Sequence, residues 1–211
     1  MRLNSVGVAT QDLGLVRTGT ELFRLRGFDF FAARRLTGRV VRRHYGLMAT
    51  EKGKTPRESA VETRYLVMPP QANPQGTAFG GAIVGWIDMT AAMAGQRHCG
   101  CEVVTAGIDS LVFRHPIRIG DHVILRAAVN YVSRSSLEVG VQVIREDPYT
   151  GQQVMATTAH LTLVALDERK RPTPVPPLRP ETPEEERRYE DARLRVEARK
   201  RRLAADAEPQ P

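Results

Sequence analysis

Cysteine is almost missing from this 211-residue chain, which holds only Cys99 and Cys101. A disulfide framework is thereby excluded, and a reducing setting, the cytoplasm, is the expectation. The two flank Gly100, and no Cys/His group elsewhere completes a metal site, so no metal is expected and both read as small apolar fillers. Long apolar runs are missing too. No stretch approaches the ~18–20 residues that cross a membrane, and the N-terminus lacks the basic, apolar, small-residue order of a secretory signal. No Gly-x-Ser-x-Gly elbow occurs, which argues against the usual serine hydrolase, and no phosphate-binding loop or dinucleotide fingerprint is present. The five histidines (His44, His98, His115, His122, His160) show no metal-ligand spacing and read as surface or capping residues.

A net charge of +7 invites a nucleic-acid reading, so its distribution matters. Residues 1–47 hold nine arginines against Asp12, Glu21 and Asp29, a surplus of +6, while the rest is close to balanced. The basicity is thus N-terminal, and a nucleic-acid partner is not expected for the remainder. Residues 1–60 carry no sustained period and read as an Arg-rich, disordered extension. A targeting arm is the rival, the segment being poor in acids though not Ser-rich. Met48 opens a polar stretch and could itself be the functional start.

From Val61 the text changes. Thr63 to Met68 is strand-like and closes at Pro69-Pro70, and residues 71–78 are dense in turn formers. Gly80-Gly81 opens an apolar segment, Ala82 to His98, in which Ile83, Trp86, Ile87, Thr90, Ala91 and Ala94 step at three and four, predicting a helix that stops at Gly100. Strand-like runs follow at 102–115, 122–133, 137–146 and 154–166. In the third, Leu137, Val139, Val141 and Val143 alternate against Glu138, Gly140, Gln142 and Ile144. One strand, one long helix, then four strands on short turns imply a mostly antiparallel sheet. The helix is too apolar for a surface, so the sheet must wrap it. This is the outline of an α+β hotdog fold over residues 61–170. Residues 171–183 read as a Pro-rich linker, and 184–206 as a charged C-terminal helix, a solvated tail or lightly docked arm.

Asp88 is the only ionisable residue of the helix before its last turn. An isolated carboxylate among Ile87, Met89 and Ala91 is costly to bury unless paired or used. It is either bonded to a neighbouring backbone group or a catalytic carboxylate, acting as base for water or nucleophile towards a carbonyl. Phe79-Gly80-Gly81 sits where the unpaired N–H groups of the helix start point outwards, able to hold a carbonyl and stabilise an oxyanion. The plainer reading is a glycine turn for tight entry. Asn73 could orient water or donate to substrate, or simply supply turn chemistry. Ser133-Arg134-Ser135-Ser136 is either a polar hairpin or a ledge for an amide-bearing chain, with Arg134 near phosphate.

The block Met68-Pro-Pro-Gln-Ala-Asn-Pro-Gln-Gly-Thr-Ala-Phe-Gly-Gly-Ala-Ile-Val-Gly-Trp-Ile-Asp88 resembles the signature of the hotdog acyl-CoA thioesterases, the group that includes bacterial short-chain and brain-type cytosolic acyl-CoA hydrolases. The similarity continues through Arg97-His98, Val103-Val104-Thr105, Phe113-Arg114-His115-Pro116, Gly120-Asp121 and Ser133 to Ser136, covering roughly residues 61–168. The resemblance implies hydrolysis of acyl-CoA to fatty acid and coenzyme A, with no cofactor beyond the coenzyme A of the substrate. It implies that Asp88 activates water or attacks the thioester, that the amides of Gly80 and Gly81 polarise the carbonyl, and that the site lies between two subunits. Asn73 would then face Asp88 of the partner chain. Phe79, Arg114 and Ser133 to Ser136 would bind substrate, with arginines meeting the phosphates. A homodimer or larger assembly of dimers is implied. Many relatives carry His where this chain has Phe79; some bacterial members have Phe too. A non-catalytic acyl-CoA-sensing hotdog regulator is the alternative, suggested by the Arg-rich N-terminus, but it has no need of Asp88. A hotdog dehydratase or hydratase would pair its carboxylate with a histidine, and the early block contains none.

Overall fold

The structure is a computed structural model that describes residues 53–109 and 111–206. The expectations for residues 1–52 lie outside the described residues. Elements run in the order α1 (Pro56–Ser59), β1 (Val61–Leu66), a 3-10 turn (Pro69–Gln71), α2 (Gly80–Cys99), β2 (Glu102–Ile108), β3 (His122–Val132), β4 (Ser136–Glu146), β5 (Gln153–Leu166) and α3 (Pro183–Asp206). The five strands form one antiparallel sheet in the order β1-β3-β4-β5-β2, leaving β1 and β2 at its edges. α2 packs on one face, as the hotdog outline requires, and α3 covers part of the other. No helix among the described residues is long and apolar enough to cross a membrane.

The stepping residues of α2 do face the sheet. Ile83, Trp86, Ile87, Thr90, Ala91, Ala94, Gly95 and His98 are buried. Trp86 stacks on Tyr65 of β1 with ring centroids 4.7 Å apart. Thr90 donates to Trp86 O at 2.7 Å or pairs with the Thr63 hydroxyl at 2.9 Å. Small residues set the approach: a Cβ added at Gly95 would lie 2.7 Å from Leu163 Cδ1 and 3.2 Å from Leu137 Cδ1. Gly100 ends the helix in the left-handed region, φ 69°, donating to Gln96 O at 2.8 Å. The opposite stripe, Gly85, Met89 and Met93, is exposed, so the sheet wraps only one side of a helix that is apolar on both.

Two expectations are corrected and one alternative is decided. The strand expected over 102–115 ends at Ile108 after a register shift between Thr105 and Gly107, and the chain from Leu111 to Ile117 forms no ladder. It is tethered instead, with Thr157 Oγ1 donating to Val112 O at 2.9 Å and Arg114 N to Ala156 O at 3.0 Å. In β4 the outward set is partly buried: Glu138 and Ile144 are both covered, Glu138 by α3. Of the two readings of α3, the structure gives the docked arm and not the solvated tail. Ala192 and Val196 are buried, Tyr189 meets Tyr131 at 5.1 Å, and Arg195 Nη2 donates to Glu138 Oε1 at 2.6 Å. A helix with so few apolar positions docks through two ion pairs, the second between Arg199 and Asp109, which no hydrophobic period reveals.

The flanking segments are also anchored. Lys54 N donates to Pro177 O at 2.8 Å, and Ser59 Oγ accepts from Val129 N at 3.0 Å. His98, expected as a surface or capping residue, is fully buried beneath the Pro-rich segment, its Nε2 lying 2.9 Å from Pro176 O.

Candidate active site

α2 starts without a side-chain cap. Its N-cap residue is Phe79, which offers no acceptor, and its first turn carries no acidic residue. Phe79 N donates to Gln71 O at 2.7 Å, and Ala82 N donates to Phe79 O at 2.9 Å. Between them, Gly80 N and Gly81 N have no partner among the described residues. Helix starts usually place Ser, Thr, Asp or Asn against such donors. Here two amide hydrogens at the positive end of a 20-residue helix stand free for an external acceptor.

Asp88 lies two turns further on, half-buried, facing the β2 edge. Its Oδ1 accepts from the Thr105 hydroxyl at 2.5 Å, whereas Oδ2 has no partner among the described residues. Thr105 was not singled out from sequence. A threonine in a strand is ordinary, and only the packing of α2 on β2 brings it to a carboxylate seventeen residues earlier. Gly81 and Asp88 stand seven residues apart on one helix, about 10 Å along its axis. A single chain therefore cannot bring both to one carbonyl.

Asn73 serves its own turn. Its Oδ1 accepts from Gln75 N and Thr77 N, each at 3.1 Å, and its Nδ2 donates to Thr77 Oγ1 at 2.8 Å. One Nδ2 hydrogen remains. The segment is tied to α2, since Phe79 N reaches back to Gln71 O. Ser133 to Ser136 form the β3–β4 hairpin, where Ser133 N donates to Ser136 O at 2.7 Å. Ala165 N and Val175 N donate to Ser135 O and Arg134 O, fixing the hairpin against β5 and the Pro-rich segment. Arg114 sits at the other end of β5. Ser136 pairs with Val164 and Arg114 N bonds Ala156 O, eight residues away, about 27 Å along the strand. Asn73, Phe79, Gly80, Gly81 and Arg114 thus gather at the α2 start, while Ser133 to Ser136 lie beyond its far half.

A cavity of about 680 Å³ opens between the outer face of the sheet and α3. Most of its charges pair: Arg126 with Glu62, Arg187 with Glu184 and Asp191, and Arg195 with Glu138. It lies across the sheet from Asp88.

An antiparallel sheet packed on one long apolar helix, which bears a carboxylate and an uncapped start, is the hotdog arrangement. A model of the thioesterase superfamily matches residues 75–152. An uncharacterized acyl-CoA thioester hydrolase of Bacillus subtilis, YkhA, is 41% identical over 155 residues, covering 74% of this chain and 90% of that one. The acyl-CoA hydrolase of Staphylococcus aureus, solved with butyryl coenzyme A, coenzyme A and coenzyme A disulfide, superposes with TM-score 0.68 at 38% identity, covering 72% and 93% of the two chains. A hexameric acyl-CoA thioesterase superposes with TM-score 0.68 at 40% identity over 72% and 98%. The chain belongs to the thioesterase superfamily, among its acyl-CoA thioester hydrolases. The Staphylococcus hydrolase has also been solved as separate alanine variants of an asparagine, an aspartate and a threonine, spaced fifteen and seventeen residues apart. Asn73, Asp88 and Thr105 stand at the same two intervals.

Proposed function

We propose that this enzyme hydrolyses acyl-CoA to a free acid and coenzyme A at a site shared by two copies of the chain, with Asp88 as the reactive carboxylate. The observation that carries this reading is the pair of free amides at Gly80 and Gly81 on the helix whose middle presents Asp88, held by Thr105. The amides receive the thioester oxygen and stabilise the negative charge that gathers there as the carbonyl carbon becomes tetrahedral. The open Oδ2 of Asp88 takes a proton from the attacking water, or itself attacks the carbon. Collapse breaks the C–S bond, and the departing thiolate takes up a proton as coenzyme A; where Asp88 is the nucleophile, a water then cleaves the acyl anhydride to release the acid and restore the carboxylate.

The geometry within one chain supports the need for a second. Two α2 helices crossing antiparallel near Gly85 would set Gly81 of one copy against Asp88 of the other, removing the 10 Å gap (about seven residues of rise). Gly85 is exposed, with nothing within 4 Å of the position a Cβ would take. Met89 and Met93 continue the same stripe, and Ile108 of edge strand β2, on the same face as Thr105, extends it. Such an apolar surface beside an open sheet edge calls for a partner. The same antiparallel arrangement carries the start of one α2 towards the far half of the other, where Ser133 to Ser136 lie. Coenzyme A would run along that hairpin, its phosphates meeting Arg134 of the same copy and Arg114 of the other, whose α2 start lies there. Further association of dimers, as in the hexameric relative, is the expected assembly.

The test is thiol release from acetyl-, butyryl-, hexanoyl- and palmitoyl-CoA by the full chain and by Asp88→Ala. Turnover should fall by about a thousandfold in the variant, the scale of a lost acid–base group, with assembly and melting temperature retained. Acyl-CoA binding without turnover by the wild type would overturn the hydrolytic reading in favour of a sensor.

A further inference from the structure

The free amides of α2 are flanked by two aromatic rings. Phe79 folds its ring over Gly81, so close that a Cβ there would fall 2.7 Å from Cε1 and 3.1 Å from Cδ1. Phe113 approaches from the tethered segment after β2, its Cε2 lying 3.6 Å from where a Gly80 Cβ would stand. The glycine pair therefore does more than expose two N–H groups: it makes room for rings on either side of them. Both rings are otherwise open, Phe79 being 61% and Phe113 43% exposed. Neither hangs on a loose loop. Phe79 N bonds Gln71 O, and Phe113 lies between the bonds from Thr157 Oγ1 to Val112 O and from Arg114 N to Ala156 O.

Taking the hydrolytic reading above as the starting point, we propose that Phe79 and Phe113 form the wall that receives the acyl chain, and so set this enzyme's preference for acyl groups longer than acetyl. A thioester oxygen held by Gly80 and Gly81 puts the carbonyl carbon at the start of α2. Two groups leave that carbon: the sulfur, leading to a pantetheine arm with amides that need polar partners, and the acyl chain, which needs none. Two phenyl rings offer no such partners and suit only the second. They also keep water from the side of the carbonyl that the amides hold, which strengthens those bonds.

Burying one methylene is worth about a factor of four in transition-state binding. Wild-type kcat/KM should therefore rise by at least about tenfold from acetyl- to hexanoyl-CoA, since one wall shields part of each added methylene. The experiment measures kcat and KM for acetyl-, butyryl-, hexanoyl- and octanoyl-CoA with the full chain and with Phe79→Ala, Phe113→Ala, Phe79→Leu and Phe113→Leu. Each alanine variant should lower the hexanoyl-to-acetyl ratio by at least about fivefold, chiefly through KM, and each leucine variant should keep most of it. Melting curves check that the variants fold. A ratio unchanged in both alanine variants, an equal loss on every substrate, or a wild-type profile that falls with chain length would overturn the proposal and leave the hydrolase standing. No turnover of any acyl-CoA by the wild type overturns both.

Discussion

The two faces of the sheet treat their helices in opposite ways. α3, on the outer face, is finished at its start and along its charged side chains. Thr182 Oγ1 accepts from Glu185 N at 3.2 Å, and Glu185 returns bonds to Glu181 N and Thr182 N. Its arginines pair along the helix with Glu184, Glu190 and Asp191, and Arg195 meets the one carboxylate buried beneath it. α2, on the inner face, is the better buried helix and the less finished one. Its first amides are uncapped, its aspartate keeps one oxygen open, and an apolar stripe faces outwards. Local incompleteness that a structure tolerates in an otherwise consistent fold marks the place where something else completes it. The helix that looks more functional by charge, α3, is the one whose charges are spent on packing, and the bland alanine-rich one keeps its polar groups open.

The sharpest way to break this contrast is to close the α2 stripe to a second copy. Met89→Glu puts a charge in the middle of the proposed helix crossing, where an unpaired buried charge is strongly disfavoured. Thiol-release activity should fall more than about a hundredfold and light scattering should report a monomer, because the second carboxylate no longer reaches the amides. A monomer with full activity would show that one chain suffices. On the outer face, Arg195→Ala tests whether α3 is a structural element. It leaves Glu138, 1% exposed, without its partner, and burial already pushes that carboxyl above the usual carboxylate range. Chemical denaturation should show a loss of about 3 kcal/mol, with kcat per folded molecule close to wild type.

Thr105→Ala returns to the inner face with a smaller effect. It removes the 2.5 Å bond that fixes one oxygen of Asp88. A hydrogen bond to a charged group contributes about 1.5–3 kcal/mol, so kcat should fall by roughly ten- to a hundredfold, with KM little changed. Thr105→Ser, which keeps the hydroxyl, should recover most of the rate. A uniform fall in both variants would mean that the β-branched shape, not the hydroxyl, matters.

Much of the inner face was legible in the sequence because α2 obeys one rule at a time. Its buried positions step at three and four, its start is a glycine pair, and its stop is Gly100 in the left-handed conformation that glycine tolerates. Asp88 stood out as an ionisable group in an apolar run. Thr105 did not, since its partner lies on another element. The sequence left α3 as a solvated tail or a lightly docked arm, and the contact that decides between them was not legible: Glu138 alternates correctly as an outward residue, and only Arg195, fifty-seven residues later, makes burial tolerable. The strand expected to reach residue 115 failed where a register shift after Thr105 re-aims the backbone, freeing Phe113 to turn towards Gly80. Periodicity reads what each segment does against a uniform surface, and these residues respond to single partners.

His98 joins the two regions and gives the mildest test. It stands in the last turn of α2, fully buried, with its Nε2 bonded to Pro176 O and its Nδ1 unpartnered among the described residues. Burial holds its pKa below the ordinary 6.5, and nearby Lys54 pushes it the same way. His160, beneath α3, is lowered by burial as well. A depressed histidine stays neutral in the fold while the unfolded chain takes up a proton. Stability is therefore present above about pH 6.5 and is lost as the pH falls from there towards the folded value, at up to about 1.4 kcal/mol per pH unit for each group. Denaturation midpoints between pH 7 and 5 should show this slope. His98→Gln, whose amide can still donate to Pro176 O, should remove about half of it and leave that of His160. An unchanged slope would mean that His98 takes up its proton in the fold as readily as in the unfolded chain.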